Sequence, residues 1–287
     1  MTVEAVESER KGRRRGRRRR GHRGPPGPGV RTFGSVLPSL LTTGNLAAGF
    51  YAIVKSGAGE PLLASYAIFI AGVFDILDGR AARLTGSESR FGAEYDSIAD
   101  TVSFGVAPAV IAFHAGGFSD LRWAGWVMAF IYTACASLRL ARFNVTSGRY
   151  LGRFDGLPTP AGAGMVVSTV WFSGFLVAND IDFSIPAMLP ALGLAAIGLL
   201  MVSPIPYRSF KDVDVRGSYG AIVLVVIITI VLFLEPGLNF FLFGLTYVLS
   251  GPVSWYWRHR TGGSLEEVPR EDAEHAPIPD PARPLES

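Results

Sequence analysis

Asp75, Asp78, Asp96 and Asp100 fall within 26 consecutive residues of a 287-residue chain, and both pairs lie against long apolar runs. Ionised side chains in such surroundings are costly and usually mark a functional site. If the apolar run from about Pro61 to Ile76 is helical, Asp75 and Asp78, at i and i+3, share one face. The polar stretch Thr85-Gly86-Ser87-Glu88-Ser89 reads as a short turn, after which Asp96 and Asp100, at i and i+4, share a face of a second helix. With helix ends near Leu84 and Arg90, a rise of about 1.5 Å per residue puts Asp78 and Asp96 roughly 9 Å from the turn, and Asp75 and Asp100 roughly 14 Å. An antiparallel hairpin therefore matches the pairs in depth.

Four carboxylates so close repel one another and cannot all stay ionised without cations. Oxygen-only ligands suit Mg²⁺, Mn²⁺ or Ca²⁺, and one cysteine and four histidines offer no cluster for zinc. Two metals sharing bridging carboxylates can clamp both sides of an in-line displacement at phosphorus. Gly79 and Gly92 remove side chains beside the carboxylates, so a nucleotide and its pyrophosphate can approach the backbone. Arg83, one turn beyond Gly79, can reach a phosphate oxygen. The competing reading, helix-end aspartates solvated in a loop, fits poorly with their apolar setting.

The elements that carry this cluster read as membrane helices. Hydrophobic residues make up 49% of the chain, and several nearly uncharged segments of about 20 residues point to an all-α, polytopic helical bundle. Eight spans are expected: Phe33 to Val54, Leu62 to Ala82, Ala93 to Ala115, Trp123 to Ala141, Pro160 to Ala178, Ile185 to Val202, Tyr219 to Leu234, and Leu238 to Trp257. The loops with Arg80, Arg83 and Arg90, with Arg139, Arg142, Arg149 and Arg153, with Arg208, Lys211 and Arg216, and with Arg258 and Arg260 share the side of the basic N-terminus. The opposite loops carry Glu60, Asp180, Asp182 and Glu235, with Arg122 the one basic exception. The positive-inside rule puts both termini and the aspartate hairpin in the cytoplasm, as for a cell-membrane protein.

Residues 1–32 hold an arginine run at 13–20 and then Pro25-Pro26-Gly27-Pro28, a composition that cannot bury a core and reads as disordered. Beside a first span, such a run fits anionic lipid headgroups better than nucleic acid. It lacks the short apolar stretch and small-residue cleavage site of a signal peptide. Residues 261–287, with Glu266, Glu267, Glu271, Asp272 and Glu274, read as a solvated acidic tail. The transmembrane domain is thus expected over 33–260. Cys135, the sole cysteine, excludes an intrachain disulfide and reads as a packing residue, and His114 reads as interfacial.

The pattern Asp-x2-Asp-Gly-x2-Ala-Arg-x8-Gly-x3-Asp-x3-Asp is met at all eight fixed positions from Asp75 to Asp100. It resembles the signature of the CDP-alcohol phosphotransferase family of membrane enzymes. That resemblance implies that Asp75, Asp78 and Asp96 bind a pair of Mg²⁺ or Mn²⁺ ions. It implies that Asp100 also touches a metal and is the general base for the acceptor hydroxyl. Gly79, Arg83 and Ser89 match positions that contact CDP-diacylglycerol.

Further stretches are similar to the branch of the family that uses serine, the phosphatidylserine synthases. They are Leu37 to Phe50, Ser103 to Ala109, Arg139-Leu140-Ala141-Arg142-Phe143-Asn144, and Phe154-Asp155-Gly156-Leu157-Pro158-Thr159-Pro160-Ala161-Gly162-Ala163. Ser39 departs from the asparagine common in relatives, which shifts the expected nucleotide contacts to Thr42 and Asn45. A serine acceptor needs its carboxylate paired, and Arg139 and Arg142, with Asn144 nearby, are the candidate clamps. The same arginines also satisfy the positive-inside rule. Pro158 and Pro160 either shape a pocket wall or start the next helix, and Gly162-Ala163-Gly164 suits close packing, as in a homodimer. Glycerol 3-phosphate or inositol phosphate is the alternative acceptor. Outside the enzymes, a cation or proton transporter also buries carboxylates, but it needs charges spread along a path.

Overall fold

The computed structural model describes residues 28–87, 89–146, 154–181, 184–207 and 219–260. The chain enters α1 (Pro28–Gly57) with a proline at the first helical position, where its missing N–H costs nothing, so α1 starts ahead of the expected Phe33. The arginine run and the acidic tail lie outside the described residues. A turn bridged by Lys55 and Glu60, Nζ to Oε1 3.0 Å, leads into α2 (Pro61–Thr85), which carries the first two aspartates. Gly86, at φ 60°, ends α2 in the left-handed conformation that glycine adopts at least cost.

The next span is not one continuous α-helix. It comprises α3 (Arg90–Asp100), a π-helical segment (Thr101–Val106) and α4 (Ala107–Ala115). A 3₁₀ turn then leads to α5 (Trp123–Thr146), followed by β1 (Phe154–Asp155), α6 (Thr159–Ala178), α7 (Met188–Val202), β2 (Pro206–Tyr207), α8 (Tyr219–Leu234) and α9 (Pro236–Arg260). Each of the eight expected spans has its helical counterpart. Six are long and apolar enough to cross a membrane, whereas α7 and α8, of 15 and 16 residues, are shorter. The protein is a multi-pass membrane protein. Many large apolar side chains, among them Leu40, Phe50, Ile70 and Phe130, face outward, as lipid contact requires.

Small residues decide how closely the helices approach. Ala64, Ala67, Ile68 and Ala71 form a buried i, i+3, i+4, i+7 stripe on α2, in one cluster with Ala52 of α1, Phe104 of the π segment and Trp171 of α6. A second cluster joins Tyr132 and Ala136 of α5 to Met165 of α6 and Leu194 and Met201 of α7. A Cβ on Gly198 would stand 2.8 Å from the Tyr132 Cα, so only glycine lets α7 lie this close to α5. Cys135 is half-buried beside it, its Cβ 3.5 Å from the same position, in the packing role expected. Gly162 meets Met201 within the chain, whereas Gly164 has nothing within 4 Å. Of the small-residue run, the first glycine thus serves internal packing.

The π segment is held by three hydrogen bonds to two helices, α5 and α1. Tyr132 Oη donates to the Phe104 carbonyl at 3.0 Å and Thr133 Oγ1 to the Gly105 carbonyl at 3.3 Å. Ser103 Oγ donates to the Asn45 carbonyl of α1 at 3.0 Å. A π turn displaces the normal carbonyl partners, and such segments recur at functional sites. This one begins directly after Asp100.

Candidate active site

Helix α1 is the scaffold of the site. It packs along α2 and also against α3 and the π segment, while α2 and α3 make little backbone contact with each other. Their aspartates reach across a gap rather than a packed seam. The start of α3 is fixed by Ser89, whose Oγ accepts the Gly92 N–H at 3.0 Å as an N-cap, which sets the rotation at which Asp96 and Asp100 emerge.

One oxygen from each of Asp75, Asp78 and Asp96 converges, all within 4.8 Å of one another. Asp78 is 4% exposed, and its Oδ2 and the Asp96 Oδ1 are buried with no protein hydrogen-bond partner. Buried carboxylate oxygens without donors are costly, and two such residues converging with Asp75 suit a hard cation. The donor set is all oxygen, so the residues fit Mg²⁺ or Mn²⁺. Asp100 stands one helical turn further along α3, outside that group of three, and its Oδ1 accepts from Asn45 Nδ2 at 2.9 Å.

The expected headgroup contacts sort themselves by position. Gly79 has nothing within 4 Å of where a Cβ would be, so backbone lies open beside Asp78. Arg83 is exposed on the last turn of α2. Thr42 stands beside Asp78 while its own Oγ1 donates to the Pro38 carbonyl at 3.0 Å. Ser89 has a structural duty as the N-cap, and Asn45 is fully buried on Asp100. Gly92 is also part of that cap, since a Cβ there would meet Ser89 Oγ at 3.1 Å.

The candidate acceptor side divides similarly. Arg139 Nη1 donates to Thr159 Oγ1 at 2.9 Å, and its Nε is buried with no partner. Thr159 is 0% exposed and opens α6, with Pro158 as N-cap and Pro160 in the first turn, so these prolines start the helix. The preceding Gly156, at φ 84°, lies against the end of α7, and Leu157 N–H donates to the Leu200 carbonyl at 3.0 Å. Tyr207, paired with Phe154 across the two short strands, donates its hydroxyl to Val248 at 2.9 Å, and burial pushes that phenol up to about 12. Asn144 is exposed but reaches α3, its Nδ2 donating to Ser97 Oγ at 2.8 Å. Arg142 is exposed on the same helix. Sequence reasoning missed Thr159, although it sits inside the Pro-Thr-Pro stretch quoted above. The π segment left no sequence signal. His114 is exposed and meets the ring of its neighbour Phe113 edge-on.

A family profile described as CDP-alcohol phosphatidyltransferase matches residues 35–201, which span all four aspartates and Arg139. The chain belongs to this family. Among curated members, it is 32% identical to the CDP-diacylglycerol–serine O-phosphatidyltransferase of Helicobacter pylori over 77% of this chain and 91% of that one. The protein of the same name from Mycobacterium leprae is 34% identical over 76% of this chain and 74% of its own. The one from Methanocaldococcus jannaschii is 42% identical over 50% and 63%. The family assignment accounts for the acidic convergence on α2 and α3 and for the oxygen-only donor set.

Proposed function

We propose that this protein transfers the phosphatidyl group of CDP-diacylglycerol to the hydroxyl of L-serine, releasing CMP and forming phosphatidylserine. The observation that carries this reading is the convergence of the Asp75, Asp78 and Asp96 carboxylates in a chain similar along most of its length to serine-using relatives. Asp75, Asp78 and Asp96 would hold the divalent ions, a pair of Mg²⁺ or Mn²⁺, whose charge draws electron density from the pyrophosphate and makes CMP the better leaving group.

The remaining work falls to the chain itself. Open backbone at Gly79 admits the pyrophosphate beside Asp78, with Arg83 on the outer phosphate oxygens and Thr42 and the Ser89 cap bordering the headgroup. Asp100 takes the proton of the serine hydroxyl as its oxygen bonds to the phosphorus bearing diacylglycerol, and the bond from that phosphorus to the CMP oxygen breaks. A carboxylate is a weak base for a hydroxyl, so positioning supplies much of the rate. Arg139, whose buried Nε lacks a partner, is the candidate clamp for the serine carboxylate, with Arg142 and Asn144 at the mouth.

The basic loops favour a cell membrane with both termini and the aspartates cytoplasmic. The small-residue surface at Gly164 leaves room for a second copy, as in a homodimer, and nothing in the reading calls for nucleic acid. The test is CMP release from CDP-diacylglycerol in membranes containing the protein, with serine, glycerol 3-phosphate and inositol phosphate offered separately. Serine alone should drive release. Release driven by a phosphorylated acceptor instead would reassign the substrate, and ion flux in proteoliposomes without CMP release would make the protein a transporter.

A further inference from the structure

We propose that Asn45 is a positioning residue that fixes the Asp100 carboxylate for proton transfer, and that it does not bind the nucleotide. This rests on Asp100 being the base. Asn45 is 0% exposed on α1 and its Nδ2 donates to Asp100 Oδ1 at 2.9 Å. Its own backbone is pinned, because its carbonyl accepts Ser103 Oγ at 3.0 Å. One turn along, a Cβ on Gly49 would stand 2.7 Å from the Ser103 Cα, so α1 and the π segment touch backbone to backbone. Ser103 lies in the π segment that directly follows Asp100. The same short stretch thus delivers both the carboxylate and the clamp that holds its partner.

The amide's orientation follows from charge. With Nδ2 toward Asp100 the contact is a charge-assisted hydrogen bond, whereas the flipped amide would set oxygen against carboxylate oxygen. The chosen orientation leaves Asn45 Oδ1 buried with no partner. An orphaned buried acceptor is destabilising, so the fold tolerates a cost that the bond to Asp100 explains. With Oδ1 held, Oδ2 is the oxygen left to face the acceptor hydroxyl. With its donor engaged by Asp100 and its side chain 0% exposed, Asn45 sits behind the carboxylate rather than at the mouth of the gap.

Asn45→Ala and Asn45→Ser, each alone and combined with Asp100→Asn, test this in purified protein by steady-state CMP release with serine and by melting temperature. Serine-dependent release by the unaltered protein comes first, and its absence would sink the functional reading rather than this inference. Asn45→Ala should lower kcat about tenfold to a hundredfold, the range expected for one hydrogen bond to a charged group, with the KM for CDP-diacylglycerol unchanged. Asn45→Ser, which keeps a donor, should recover part of kcat even if both variants melt earlier. On the Asp100→Asn background neither change should lower kcat further. A raised KM for CDP-diacylglycerol with kcat intact would overturn the inference. So would full additivity with Asp100→Asn, or equal loss in the alanine and serine variants.

Discussion

Replacing Asp100 by asparagine separates binding from chemistry. The substitution keeps the side chain's size, and its amide oxygen can still accept the Asn45 Nδ2 hydrogen now 2.9 Å from Oδ1. That bond changes from charge-assisted to neutral, a loss of about 1 kcal/mol, too little to unfold the bundle. The three converging oxygens belong to Asp75, Asp78 and Asp96, so the headgroup site stays intact. What disappears is the proposed proton acceptor, and general bases typically contribute 10²- to 10⁴-fold, or roughly 3–5 kcal/mol of barrier. Asp100→Asn should therefore lower kcat for CMP release by 10²- to 10⁴-fold and leave the KM for CDP-diacylglycerol within about threefold, since about 0.6 kcal/mol is the largest binding change that allows. The assay is steady-state CMP release with serine in detergent micelles, paired with direct binding of CDP-diacylglycerol. A kcat within threefold of the unaltered protein would refute the base assignment, and a large rise in KM at unchanged kcat would make Asp100 a binding residue.

Other expectations follow from neighbouring contacts. Gly79→Val would fill the open backbone beside Asp78, so the KM for CDP-diacylglycerol should rise at least tenfold while the melting temperature moves little, and an unchanged KM would remove Gly79 from the headgroup site. Arg139→Ala should raise the KM for serine by one to two orders of magnitude with CDP-diacylglycerol affinity unaffected, as loss of a charged hydrogen-bonding partner implies. An unchanged serine KM would return Arg139 to a purely structural role with Thr159. Tyr132→Phe strands the Phe104 carbonyl in the π segment and should cost about 1–3 kcal/mol of stability, read as earlier thermal unfolding in detergent. No shift would mean that the π segment does not depend on that hydroxyl.

Much of the architecture was legible because membrane helices announce themselves by composition, and the eight expected spans each met a helix. The aspartate cluster was legible for a similar reason: fixed i, i+3 and i, i+4 spacing survives any modest error in boundaries. The level-by-level hairpin was only partly right. Asp75 joins Asp78 and Asp96, while Asp100 turns to Asn45, because α1 rather than a direct α2–α3 seam holds the two helices together. That dependence on a third helix cannot be read from local spacing. The π segment was invisible because its cause is tertiary, in hydroxyls of Tyr132 and Thr133 some thirty residues downstream. Ser89 and Asn45, expected at the headgroup by resemblance, also cap α3 and hydrogen-bond to Asp100, contacts that depend on neighbours a pattern does not name.

The claim beneath all of this is that carboxylates from α2 and α3 jointly hold divalent ions. Mn²⁺ titration of the purified protein, followed by electron paramagnetic resonance, measures it directly and can be repeated on Asp78→Ala, which removes the most buried of the three converging carboxylates. Saturable Mn²⁺ binding that Asp78→Ala abolishes or weakens by orders of magnitude is the predicted result. The same binding curve in both proteins would contradict the account.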